Sequence, residues 1–268
     1  MIDILQHQFM QNALMAGVML SIVLAVVSFF VVLRRFAFIG VGIAHSAFGG
    51  VAIGSLFGVP PLLAAIVFAA LVANAISFVS KQKRIGVDTA IGIFFSLAMA
   101  IGVICIGLSD VYNTDLFGYL FGNILAISRW DLVIIGGLSC AILLAVFLFF
   151  KEFLFIAFDP DVALVSGMPV TFLDHFFLTL LAITIVISIK ITGIILVSAL
   201  LVIPGAAAAQ IFDHYPKIIV ASIVIALFST IGGLAISYYL NIASGATIVT
   251  LAAIVFFIAV AIGKIREK

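Results

Sequence analysis

Apolar residues run through this chain in long unbroken stretches, not in strand-like alternation. Nine of them approach the roughly 20 residues that a helix needs to cross a hydrocarbon core. They lie at about 9–33, 36–57, 62–80, 88–108, 132–150, 171–190, 193–212, 217–240 and 246–263. The pattern predicts an all-α polytopic bundle of eight or nine transmembrane helices, arranged as a single domain over 1–268. The turn Val59-Pro60-Pro61 divides the second span from the third. Only Thr192-Gly193 divides the sixth from the seventh, so a broken or re-entrant helix is expected there. Pro204-Gly205 is expected to kink or unwind the seventh span, which is tolerated where freed backbone groups face protein or a watery cavity.

Composition agrees with this reading. The 268 residues are 66% hydrophobic and 9% charged, with a mean hydropathy of +1.48, which excludes an ordinary soluble domain. The net charge of +1 selects no partner. No Lys or Arg precedes the first apolar run, so a cleaved signal peptide is not expected. Cys105 and Cys140 read as small core residues. Positive charge sets the orientation. With the N-terminus outside, Arg34, Arg35, Lys81, Lys83, Arg84, Lys151, Lys217, Lys264, Arg266 and Lys268 all become cytoplasmic. Arg129 and Lys190 lie outside, Lys190 reaching to the outer surface. An eight-span arrangement, with the N-terminal segment not crossing, breaks this pattern.

Few polar residues remain within the spans. His45 sits in the middle of 36–57, and an ionisable side chain at that depth marks a substrate or ion path. Gly42, Ser46, Gly50, Gly54 and Gly58 recur every fourth position beside it and form a face that a second helix can approach closely. Ser46 and Asn74 are further candidates for the path, although small-helix packing is the simpler role for Ser46 and a cross-helix bond is an ordinary one for Asn74 and Gln210. His7, His175 and His214 fall near span ends without a partner at metal-ligand spacing. Asp110, Asn113 and Asp115 crowd the loop after the fourth span, where they can concentrate a cation in an outer vestibule.

The acids stand outside the middle of every span, so a proton relay would rest on His45 alone. The chain has no GxxxxGK[ST] loop, so an ATPase that drives it is a separate subunit. Residues 158–170, FDPDVALVSGMPV, offer that subunit a docking segment. Asp159 or Asp161 can cap a short helix there, Pro160 suits its first turn, Ala163 sits inside it, and Gly167 and Pro169 end it.

Six stretches in this order carry a resemblance: LRRFAFIGVGIAHSAFGG (33–50), GVDTAIGIFFSLAMAIG (86–102), YLFGNIL (119–125), FDPDVALVSGMPV (158–170), GIILVSALLVIPGAAAA (193–209) and SGATIV (244–249). The chain resembles the membrane permeases of ABC importers for divalent metals, the metal ABC-3 permease family. The resemblance implies a type II-like permease working as a homodimer in a bacterial or archaeal cytoplasmic (inner) membrane, with its C-terminus cytoplasmic. It implies two cytoplasmic ATPase subunits holding ATP and Mg, an extracytoplasmic metal-binding protein, and coupling through 158–170. It implies no permanent cofactor, no nucleic-acid partner and a divalent metal as cargo. The family commonly places an Asp four residues before the span-two histidine, and here that position is Val41. Loss of the hard oxygen ligand leans the expected cargo toward zinc, with manganese or iron as alternatives.

Two rival functions use the same histidine. A secondary metal carrier would couple His45 to protons, which the scarcity of mid-span acids opposes. An intramembrane enzyme would need a second catalytic group at the same depth, and span two offers none.

Overall fold

Pro and Gly mark several of the helix boundaries, among them Gly58-Val59-Pro60-Pro61 and Gly167-Met168-Pro169. The computed structural model describes residues 8–81, 85–108 and 127–266. Its helices are α1 (Gln8–Leu33), α2 (Ala37–Phe57), α3 (Pro61–Ser80), α4 (Val87–Leu108), α5 (Arg129–Leu148), α6 (Phe150–Phe158), α7 (Pro160–Val165), α8 (Val170–Ile211), α9 (Tyr215–Leu240) and α10 (Ser244–Arg266). Nine helical segments among the described residues are long and apolar enough to cross a membrane, α8 supplying two, Val170–Ile189 and Thr192–Ile211. The described residues contain no strand.

Local chemistry sets the boundaries. α2 ends where Gly58 turns left-handed, at φ 68°, and donates its N–H to Gly54 O. Pro61 then opens α3, where a missing N–H costs nothing. α5 starts three residues earlier than the expected 132. Ser128 and Asp131 form a reciprocal capping box that satisfies the first turn from residue 129 onward. α6 is a short helix over residues that the sequence placed beyond the fifth span, where no helix was expected.

α8 folds back on itself. Asp174, near its start, pairs with Arg34 just beyond the end of α1. Gly205, near its other end, donates to Ser28 Oγ at 3.0 Å, only six residues before Arg34. A straight helix would separate residues 174 and 205 by roughly 45 Å, so the chain reverses between the two halves. Gly193 makes the break, with φ 76° and ψ 166°, a region essentially open to glycine alone. Pro204 sits inside the second half without unwinding it, since only Gly193 leaves helical backbone angles within α8. The Ser28 hydroxyl accepts from the adjoining Gly205 N–H, so this face of α8 packs against α1.

The helices form two groups. α2 packs with α3 and α4, while α1 packs with α5, α9 and α8. α8 touches both groups and so binds them together. The close approach expected along α2 is made within the chain. A Cβ on Gly42 would lie 2.8 Å from Ile91 Cγ2 of α4, and one on Gly50 would lie 2.6 Å from Ala65 Cα of α3. A Cβ on Gly54 would meet Ala64 Cβ at 2.9 Å. Gly58 does not extend this face. It is a helix cap, and a Cβ there would meet nothing within 4 Å. Cys105 is buried, but Cys140 is exposed and so is not the core residue expected. Apolar surroundings in sequence do not separate a core position from a lipid-facing one.

Candidate functional site

α2 turns its tightly packed glycines inward and a different face outward. Phe38, Val41 and His45, three and four residues apart, share that outer face, with Phe38 exposed and the other two half-buried. His45 Nδ1 lies 2.9 Å from Val41 O, one turn back. A carbonyl oxygen only accepts, so in the neutral ring Nδ1 carries the proton and Nε2 keeps its lone pair. Metal-ligating histidines are commonly oriented in this way by a carbonyl on the other nitrogen. The ring of Phe95, from α4, stands edge-on to the imidazole with centroids 5.0 Å apart. These contacts hold the imidazole in place.

Little else among the described residues could complete a metal site. Among the described residues no group of three or more His, Cys, Asp or Glu side chains could hold a metal ion. Ser46, next to His45, is wholly buried and donates its hydroxyl to Gly42 O at 2.8 Å. Its geometry is that of a packing residue.

Asn74 makes its contacts on another face. Its amide nitrogen donates to Ala70 O at 2.8 Å and to Thr179 Oγ1 at 3.1 Å. Its oxygen lies 2.6 Å from His175 Nδ1, which must therefore be the donor. The Thr179 hydroxyl donates in turn to His175 O at 2.8 Å. Asn74 thus ties α3 to α8. Asp110, Asn113 and Asp115, expected in an outer vestibule, lie outside the described residues.

The segment 158–170 contains α7. Asp159 Oδ1 accepts from Asp161 N and Val162 N, both at 3.0 Å, while Pro160 occupies the first helical position. Asp159 is therefore the cap, and Asp161 contributes its backbone. Gly167 leaves the helix at φ 81°, and Pro169 immediately precedes α8. Ala163 is fully buried, whereas Val162, Leu164 and Val165 are exposed. A six-residue helix seated on one alanine and showing three aliphatic side chains is a surface suited to a partner.

Beside it lies an ion cluster that sequence reasoning missed. Asp174 Oδ1 pairs with Arg34 Nη2, and Oδ2 lies 3.2 Å from Lys81 Nζ. The Arg34 guanidinium also sits over the rings of Phe36 at 4.5 Å and Phe177 at 5.2 Å. Phe30 on α1 packs edge-on against Phe150 and Phe153 of α6 and Phe177 of α8. The available signal was the placement of Arg34, Lys81 and Asp174 at span boundaries on one predicted side of the membrane.

Comparison with known proteins agrees with this architecture. Residues 6–263 match the ABC 3 transport family. An uncharacterised membrane protein of Synechocystis sp. is 38% identical over 97% of this chain and 93% of its own length. A manganese transport system membrane protein of Listeria monocytogenes is 39% identical over 96% of this chain and 91% of its own length. Among solved structures, PsaBC from Streptococcus pneumoniae in complex with Fab superposes with a TM-score of 0.86, at 38% identity, covering 96% of this chain and 93% of that one.

Proposed function

The chain belongs to the ABC 3 transport family, and from that premise we propose that it is the membrane permease of an ATP-driven importer of divalent first-row metal ions, with manganese as its cargo. It is a transport subunit, and ATP hydrolysis belongs to a separate partner. The observation that carries the reading is His45, held half-buried on the outward face of a membrane-spanning helix, with Nδ1 bonded to Val41 O and Nε2 left as an acceptor. The name of the Listeria relative supports manganese.

Two copies around a twofold axis would present two His45 side chains to one ion. Two imidazoles without a closed cage replace part of the ion's hydration shell and still let it leave. An extracytoplasmic metal-binding protein delivers the ion to the outer end. The positive-inside rule places Arg34 and Lys81 in the cytoplasm. Asp174 pairs with both, so α7, a few residues before it, lies at that same end and is placed to receive the ATPase subunits. Closure of the ATPases then acts on α7 and alternates access to the path.

One observation favours a second cargo. Val41 offers no carboxylate one turn before His45, and an imidazole-only contact suits zinc better than manganese. The test is uptake into proteoliposomes containing the chain, its ATPase and the metal-loaded binding protein. Manganese import is predicted to require ATP and to be competed by excess manganese more strongly than by zinc. The reverse order of competition would assign zinc. Uptake by the chain alone under a proton gradient would replace the importer with a secondary carrier.

A further inference from the structure

The path at His45 and the docking surface at α7 are separate in the fold, and the importer described above uses no group between them. Asp174 stands there. It is buried near the start of α8, five residues beyond Pro169. It accepts from Arg34, which follows the last residue of α1, and from Lys81, which caps α3. One carboxylate therefore gathers three helix ends. Buried ion pairs are weak evidence for stability, since well-packed apolar groups often serve as well. Two cations drawn from separate helices onto one carboxylate fit a joint better than a plain stabiliser.

The connections on either side of the joint are short and bonded. Met168 N donates to Ala163 O at 3.2 Å, Gly167 N to Leu164 O at 3.0 Å and Leu173 N to Pro169 O at 3.0 Å. Displacement of α7 therefore reaches the first turn of α8 with little slack. On the far side, Arg34 N donates to Phe30 O and Phe36 N to Val31 O, so the α1–α2 junction moves with the guanidinium. His45 lies on α2, two turns beyond Ala37. A second tie, His175 to Asn74, holds the same part of α8 to α3.

We propose that Asp174 is a positioning residue for transport. It clamps the α1–α2 junction and the end of α3 to the start of α8, so that motion imposed on α7 by the ATPase is delivered to the helix that bears His45. This inference rests on the reading of α7 as the docking surface.

The test uses the complete transporter in proteoliposomes, with manganese as the probe. Asp174→Asn, Lys81→Met and the double variant Arg34→Gln/Asp174→Asn are compared with the wild type for ATPase co-purification, ATP hydrolysis, metal moved per ATP and apparent Tm. Lys81 is half exposed, and Lys81→Met leaves Arg34 to neutralise the carboxylate, so this variant keeps its fold. In all three the ATPase is expected to co-purify and to hydrolyse ATP. Metal moved per ATP is expected to fall about tenfold in Asp174→Asn, within the usual range of coupling between sites, and measurably in Lys81→Met. The double variant, with no charge left unpaired between Arg34 and Asp174, is expected to regain the wild-type Tm but not the metal-per-ATP ratio. A wild-type ratio in Lys81→Met, or a ratio that recovers together with Tm in the double variant, would overturn the proposal. The docking reading fails on a different result, undiminished ATPase binding in Ala163→Pro.

Discussion

Gly50→Ala isolates one close contact of α2 with the backbone of α3. The new Cβ would lie 2.6 Å from Ala65 Cα, 2.9 Å from Phe68 Cβ and 3.0 Å from Ala64 O. Carbon atoms rest at about 3.5–4.0 Å, so α2 and α3 must part by roughly 1 Å. Two of the obstacles are backbone atoms and the third is a Cβ, so none can turn aside. Overpacking of this kind costs about 1–3 kcal/mol, and the upper end applies where no rotamer offers escape. Replacing a mid-helix glycine returns up to about 1 kcal/mol of helix propensity. The net loss is about 2 kcal/mol, or about 4 °C in apparent Tm on the scale of soluble chains of this size. Gly137→Ala is the matched control, because nothing lies within 4 Å of a Cβ there. It gains the propensity without the clash, so its Tm should hold or rise by about 2 °C. Both are measured in detergent at one scan rate, since unfolding of such proteins is commonly irreversible. Gly50→Ala matching or exceeding Gly137→Ala would refute the packing argument.

Three further changes test separate parts of the account. Ala163→Pro removes the Ala163 N–H bond to Asp159 O and forces a ring into a fully buried position, a change worth about 3 kcal/mol in a helix interior; ATPase pull-down should fall while the transmembrane fold persists by size-exclusion chromatography. Ser28→Ala removes the hydroxyl that accepts from the Gly205 N–H beside Pro204, a loss of about 1 kcal/mol for one hydrogen bond, and should lower the apparent Tm by about 2 °C on the same scale. Val41→Asp supplies a hard oxygen one turn from His45, so the ratio of manganese to zinc uptake should rise in a dual-isotope competition assay.

The spans were legible because bilayer thickness imposes a length on apolar runs and because Pro and Gly mark their ends. Val59-Pro60-Pro61 became the α2–α3 turn, and Thr192-Gly193 became the reversal inside α8. The cap at Asp159 was legible for the same local reason. α6 was not, since after Lys151-Glu152 its apolar run is too short to read as a span. Cys140 illustrates a second limit. Lipid-facing and core positions are both apolar, so composition cannot tell which way a residue points. The Asp174 cluster shows a third. Its partners lie 140 and 93 residues away in sequence, and no periodicity connects charges that meet only when three helices pack. His45 was found because an ionisable residue at mid-span is rare, but the carbonyl that fixes its tautomer was visible only in the fold.

The central claim is that His45 meets the metal on its way through the membrane. The direct measurement is manganese uptake by the complete complex in proteoliposomes, wild type against His45→Ala, with preparations matched for ATPase activity. The ring bonds to its own helix through Val41 O, so its removal leaves assembly and ATP binding in place. Uptake is predicted to fall strongly while ATP is still hydrolysed. Equal uptake in the two proteins would make His45 a satisfied core histidine and contradict the account.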